Sequence, residues 1–285
     1  MAPSRKIPFL SFVVSPYRKV KINLSGCNFN CKGCFAIAKE EVGRDLSVKQ
    51  LINLITKSCS FLYGEMVDDV QMTGGEPTMD RDYLVSLICS LRELGAKRVG
   101  ISTNGYLLNR NFVKELKSLD VSYIKLDIKA YTGKIHRWYT GRDNANVLKA
   151  VNLLHEYDLN FYVRTIVIPN LVDVIEVKKI GEFLGRVSKR IHYKLYQFAT
   201  EYAHNETLRN SPKHKDMMKA FKAAKGYLGN VEFYVTETAY KPITEFIEVR
   251  DDELLEKFKK IDEISKSVIK TWNMKYFTMN QILNS

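Results

Sequence analysis

Cys27-Asn-Phe-Asn-Cys31-Lys-Gly-Cys34 gathers three of the chain's five cysteines into eight residues, spaced C-x3-C-x2-C. Thiolates this close can fold over one centre of soft metal. An iron-sulfur cube is held by Cys thiolates, normally four, so a set of three leaves one iron without a protein ligand. An open iron is where a small molecule can bind. A structural zinc site is the alternative, but it asks for a fourth ligand at typical spacing, and no Cys or His follows until Cys59. A disulfide framework fits less well, because two cysteines in a tight loop beside a third do not pair off.

Upstream of the loop, Val20-Lys-Ile-Asn-Leu24 alternates apolar and polar with period two, so the cysteines leave the carboxyl end of a strand. Downstream, Ser47 can cap a helix over Val48, Leu51, Ile52 and Ile55. The alternation then repeats. Strands are predicted at 67–73, 98–102, 121–128, 161–168 and 191–198, with helices beginning near Asp80, Asn111, Asn146, Val174 and His214. A polar stretch with Gly133 and Gly141 is read as a connection, and Met1 to Pro16 as an irregular lead-in or a loosely attached strand. A βαβα order argues for a parallel sheet, curved into a barrel or doubly wound. After Gly229 the pattern changes to a short strand at 231–235 and an amphipathic helix at 253–271, read as a packing or lid element without chemistry of its own.

At 285 residues, with 45% hydrophobic and 27% charged content, the chain suits one sizeable core and excludes a fibre or a disordered chain. The early apolar run Pro8 to Val14 is too short for a membrane span, and no small-residue cleavage site follows it. A cytoplasmic protein is expected, since thiols poised to hold a cluster survive in a reducing compartment. The net charge of +12 admits an acidic partner such as RNA, but the basic residues are dispersed, as on a solvated Lys-rich surface. Cys59 and Cys89, each within a helical apolar pattern, read as packing residues.

Four motifs fall at predicted strand ends: the cysteine loop, Gly74-Gly75-Glu76, Ser102-Thr103-Asn104 and Asp127-Ile-Lys129. That edge is where parallel α/β folds bind ligands. Gly74 and Gly75 let backbone approach a ligand, and a carbonyl or the Glu76 carboxylate can accept from an ammonium group. The other reading of Glu76 is a helix-capping carboxylate before Pro77. Ser102 and Asn104 offer groups suited to ribose or carboxylate, or form a plain turn. Asp127 and Lys129 share a strand face, where charges must pair or meet a ligand.

Together these motifs resemble the radical S-adenosylmethionine (radical SAM) superfamily, in the branch of the glycyl-radical-enzyme activases. The resemblance rests on C-x3-C-x2-C, Thr73-Gly-Gly-Glu-Pro77, Leu126-Asp-Ile-Lys129 with His136 and Tyr139-Thr-Gly141, and Val163-Arg164-Thr-Ile-Val-Ile-Pro169. It covers residues 18 to 200. It implies a partial (β/α)6 TIM-like barrel with a C-terminal strand and helix extension, divided as lead-in 1–17, core 18–228 and extension 229–285. It implies that Cys27, Cys31 and Cys34 hold a [4Fe-4S] cluster whose open iron is chelated by S-adenosyl-L-methionine, and that reductive cleavage gives a 5′-deoxyadenosyl radical. The Gly-Gly-Glu element would then meet the methionyl amino group, and Ser102, Thr103 and Asn104 the ribose or carboxylate. Asp127 and Lys129 would line the same site, Arg164 would clamp the carboxylate, and Val167 or Ile168 would pack the adenine.

The implied partners are a ferredoxin or flavodoxin donor and a glycyl radical enzyme as substrate, acted on by a monomer. Radical modification of RNA, a nucleotide or another peptide is the rival, and a non-catalytic metal-binding scaffold a third reading. Two departures stand out. Gly33 precedes the third cysteine where many family members carry an aromatic residue, a detail closer to the anaerobic ribonucleotide reductase activases. The sixth strand offers Tyr196-Gln-Phe198 in place of a His, and His136 itself reads as an exposed loop residue.

Overall fold

The computed structural model describes residues 3–202, 208–235, 245–268 and 272–285. Residues 203–207 of the expected polar loop and 269–271 of the expected C-terminal helix lie outside the described residues. Val20 to Leu24 lies in β3 (Lys19–Leu24), and the sheet continues through β5 (Asp69–Gly74), β6 (Arg98–Thr103), β7 (Tyr123–Asp127), β8 (Phe161–Val167), β9 (His192–Gln197) and β10 (Val231–Tyr234). These seven strands are parallel and neighbour one another in chain order. The helices between them are α1 (Val48–Tyr63), α2 (Arg81–Glu93), α3 (Arg110–Ser118), α4 (Gly133–Thr140), α5 (Ala145–Glu156), α6 (Val174–Val187) and α7 (His214–Lys225). The result is an α/β partial barrel.

Local chemistry explains the helix starts. Ser47 and Gln50 form a reciprocal capping box at α1, and the Asp80 side chain accepts from Tyr83 N at the start of α2. The apolar faces of these helices pack with the strands into one core, in which Leu51, Ile55, Leu84, Leu87 and Ile88 are fully buried.

Three features depart from the sequence reading. The lead-in contains β1 (Ser4–Ile7) and β2 (Phe9–Ser15). β1 pairs with β4 (Arg44–Ser47), while β2 enters the main sheet antiparallel to β3. Leu10, Phe12 and Val13 are fully buried, each stabilising by about 1.5–3 kcal/mol, which fixes β2 firmly. The polar stretch from Gly133 contains α4, whose Ile135, His136 and Tyr139 turn inward although the helix is polar overall.

The C-terminal part extends the sheet past β2. β11 (Glu245–Arg250) pairs antiparallel with β2, and β12 (Asn273–Thr278) parallel with β11, so the order is β10-β9-β8-β7-β6-β5-β3-β2-β11-β12. Helices α8 (Leu255–Val268) and α9 (Met279–Leu283) accompany these strands. Among the described residues no helix is long and apolar enough to cross a membrane.

Candidate functional site

One cavity of about 440 Å³ opens at the carboxyl ends of the parallel strands, and Cys27, Cys31 and Cys34 all line it. Each thiol is free and half-buried. Burial pushes the Cys27 thiol up to about 11 and the Cys31 thiol up to about 12, so metal binding here must displace protons. Polar donors surround the loop. Phe29 N approaches Cys27 Sγ at 3.4 Å, Asn104 Nδ2 approaches it at 3.9 Å, and Asn28 Nδ2 is buried without a hydrogen-bond partner. An orphaned amide donor beside a thiol suits a sulfide-rich group, whose sulfurs accept hydrogen bonds.

No other Cys or His lines the cavity, and among the described residues no set of three or more Cys, His, Asp or Glu side chains converges to hold a single metal ion. Cys59 is buried in the core and its thiol is raised to about 11, whereas tetrahedral zinc asks for ligands gathered about 2.0–2.3 Å from one ion. Three thiols on one cavity wall match the three protein ligands of an iron-sulfur cluster with one open iron.

In the Gly-Gly-Glu turn, Glu76 takes the second of its two sequence readings, the capping carboxylate. The Glu76 carboxylate is 1% exposed. Its Oε1 accepts from Thr78 N at 3.0 Å, Thr78 Oγ1 at 2.6 Å and Thr103 Oγ1 at 2.7 Å, and Oε2 accepts from Asn104 N at 2.7 Å. It caps the short turn Pro77–Met79 and ties the end of β5 to that of β6. Burial pushes its carboxyl up from the ordinary value, while the same hydrogen bonds oppose that shift. The glycines meet protein backbone. Gly74 holds φ at +110°, and a Cβ on Gly75 would lie 2.0 Å from the Gly26 carbonyl oxygen, so the two turns can nest only with glycine there. Arg5, unmarked in the sequence, clasps this joint by donating to Ser25 O, Glu76 O and Pro77 O.

Asp127 and Arg164 sit side by side on β7 and β8. Arg164 Nε donates to Asp127 Oδ1 at 2.8 Å, and Lys129 Nζ to Asp127 Oδ2 at 3.1 Å. Burial disfavours every charge in the triad, but the opposite charges prevail: Asp127 is held below its ordinary value, Lys129 and Arg164 above theirs.

Every cofactor-contact residue marked in the sequence lines the cavity except Val167 and Ile168, which are 2% and 1% exposed and pack into the core clusters. Strand alternation explains Val167: Arg164 faces inward, so Ile166 shares its face and lines the cavity while Val167 points the other way; Ile168 lies past the end of β8, in a turn where it bridges to Val172 and packs into the smaller core cluster. His136 is also corrected. It lies on α4, fully buried, with Nδ1 2.9 Å from Arg142 O and its ring edge-to-face with Phe29, and burial lowers its pKa. Gly33 has a steric cause, since a Cβ there would come within 2.8 Å of the Phe198 ring and 2.9 Å of Tyr139 Oη.

Sequence reasoning gave the far wall of the cavity no chemistry, reading its helix only as a packing or lid element. Glu248 of β11, Phe258, Ile261 and Asp262 of α8, Trp272, and Met274 and Tyr276 of β12 line the same space as the cysteines. Their separation from the loop by over two hundred residues left no local signal.

The Radical SAM superfamily model matches residues 24–184. A protein of Methanocaldococcus jannaschii, provisionally named a glycyl-radical enzyme activating enzyme, is 32% identical over 217 residues, 75% of this chain and 79% of its own. The trans-4-hydroxy-L-proline dehydratase activating enzyme of Clostridioides difficile is 34% identical over 154 residues, 52% of this chain and 49% of its own. Among solved structures, Streptococcus suis SuiB bound to S-adenosylmethionine superposes with a TM-score of 0.59 at 15% identity, covering 89% of this chain and 56% of that one.

Proposed function

Because the chain belongs to the radical SAM superfamily, we propose that it cleaves S-adenosylmethionine reductively and directs the resulting radical at a glycyl residue of a partner enzyme. The observation that carries this reading is one cavity lined by all three loop thiols and by the strand-end residues Glu76, Asn104, Asp127 and Arg164. Cys27, Cys31 and Cys34 are assigned to a [4Fe-4S] cluster, which when bound supplies the electron that splits the sulfonium into methionine and a 5′-deoxyadenosyl radical. Every other task falls to the chain.

With the Glu76 carboxylate held by Thr78, Thr103 and Asn104, recognition of the methionyl ammonium is assigned to backbone carbonyls of Gly74 and Gly75. The Asp127, Lys129 and Arg164 triad and the hydroxyls of Ser102 and Thr103 are assigned to the carboxylate and ribose, and Ile166 to the adenine. The core is taken as 18–228, after a lead-in 1–17, and residues 229–285 as its cover. The glycyl target is supported by the activating-enzyme names of the two relatives. An electron donor of ferredoxin or flavodoxin type, action as a monomer and a cytoplasmic setting follow from this reading. RNA is the rival substrate that the +12 charge would favour.

The test is anaerobic. Cluster-loaded protein with dithionite should release methionine and 5′-deoxyadenosine from SAM, and a protein-radical resonance should appear only when a glycyl enzyme is added. Cys27→Ser, Cys31→Ser and Cys34→Ser should each lose bound iron and SAM cleavage, while Cys59→Ser and Cys89→Ser keep both. Stoichiometric zinc in place of iron, or iron retained in all three loop variants, would refute the assignment.

A further inference from the structure

Asn104 stands where the end of β6 meets the cysteine loop, 6% exposed and on the cavity wall. Tyr106 N donates to its Oδ1 at 3.0 Å. A backbone N–H can only donate, so this contact fixes which end of the Asn104 amide is oxygen. The other end, Nδ2, lies 2.7 Å from the Asn28 side chain, and the atom it meets there must be an acceptor, Oδ1. Asn28 Nδ2 is thereby left buried without an acceptor, an arrangement that costs about 1–3 kcal/mol.

Asn104 Nδ2 carries two hydrogens, and Asn28 takes one. The other is within reach of Cys27, whose Sγ lies 3.9 Å away. Phe29 N approaches the same sulfur at 3.4 Å. As a neutral thiol Cys27 is also a donor, its Sγ lying 4.0 Å from Asn28 Oδ1. A metal ligand is a thiolate, which only accepts, so the same neighbours then present two donors to one anion. Among the described residues no hydrogen bond reaches the Cys31 or Cys34 sulfur, so the three loop thiols are unequal.

We propose that Asn104 is a positioning residue for the cluster: its amide, locked by Tyr106 N and Asn28 Oδ1, donates to the Cys27 thiolate and raises the reduction potential of the cluster. The inference rests on the assignment of Cys27, Cys31 and Cys34 to a [4Fe-4S] cluster. One electron from the donor protein enters that cluster, and the added negative charge spreads onto its sulfurs. A hydrogen bond to a ligand sulfur therefore stabilises the reduced state more than the oxidised one. Held in this way, the Asn104 amide has no hydrogen left for a ribose or carboxylate, which leaves those groups to the other strand-end residues.

The experiment is an anaerobic redox titration of reconstituted protein without SAM, following the reduced cluster by electron paramagnetic resonance. Asn104→Ala removes the donor. Asn104→Asp keeps the oxygen that Tyr106 N meets but turns a carboxylate oxygen toward the sulfur. Both should hold the parent's iron and reduce at a more negative potential, Asn104→Asp further than Asn104→Ala. Asn30→Ala, at an exposed position of the same loop, should titrate with the parent. Potentials equal to the parent's in both Asn104 variants, or an equal shift in Asn30→Ala, would overturn the proposal. Iron lost from both Asn104 variants would overturn it as well, by making the amide a structural brace only; if Asn104→Ala alone loses iron, Asn104→Asp decides. Parent protein that takes up no cluster would refute the cofactor assignment and this proposal with it, whereas unshifted variants refute this proposal alone.

Discussion

Glu76 accepts from the hydroxyls of Thr78 and Thr103 and from two backbone amides while 1% exposed, so it must stay an acceptor at both oxygens. In Glu76→Gln one oxygen becomes an amide group that faces a donor. A buried donor left without an acceptor costs about 1–3 kcal/mol, so the variant should unfold at a lower temperature than the parent. Calorimetry of the cluster-free protein measures this, and an unchanged transition would mean that the carboxylate does not hold the two turns together. The same residue shows what sequence can say. Thr-Gly-Gly-Glu-Pro marked the turn, but whether the carboxylate faced a ligand or its own backbone depended on Thr103 and Asn104, which arrive from another strand. Ile166 was within reach of alternation counted from Arg164, whereas His136 needed the distant Phe29 to explain its burial.

At the scale of elements, β7 and β8 each present a charge to the other, and register sets Asp127 directly beside Arg164. Removing the carboxylate leaves Arg164 and Lys129 facing each other across the cavity wall. A dry pair broken in this way costs about 3–5 kcal/mol; side-chain exposures of 18–24% let water screen these charges, so Asp127→Asn should cost about 2 kcal/mol at neutral pH. The pH dependence has a definite sign. Asp127 is held below its ordinary value of 3.8, so the unfolded chain binds the proton first and the stabilisation is lost as pH falls below about 4. Denaturant titrations from pH 7 to pH 3 should show a shallower acid loss in Asp127→Asn than in the parent, and parallel curves would contradict the pairing. The parallel strands were legible because each carries its own apolar run closed by a turn. β11 and β12 were not, since β11 meets β2 across more than two hundred residues and β12 joins the sheet through β11. Helix α4 was masked by Gly133, Lys134 and Arg137 on its exposed side.

For the whole molecule, the consequence is a cavity built from both ends of the chain. The family model ends at residue 184, yet α8, Trp272 and β12 furnish a wall of the space that the loop cysteines open into. Trp272 reports on that wall, with its Nε1 donating to Asp262 Oδ1 at 2.7 Å beside the cavity. The chain's other tryptophan, Trp138, is 45% exposed and lies 5.1 Å from Lys32 of the cysteine loop, so its emission must be removed. In cluster-loaded Trp138→Phe, adding SAM should change tryptophan emission saturably, because filling the cavity displaces water from the indole face. The matching Trp138→Phe, Trp272→Phe double variant should show no such signal. A silent Trp272 alongside normal SAM cleavage would mean that the cofactor and the C-terminal wall occupy separate ends of the space. An emission change that follows SAM occupancy would make the extension part of the cofactor chamber.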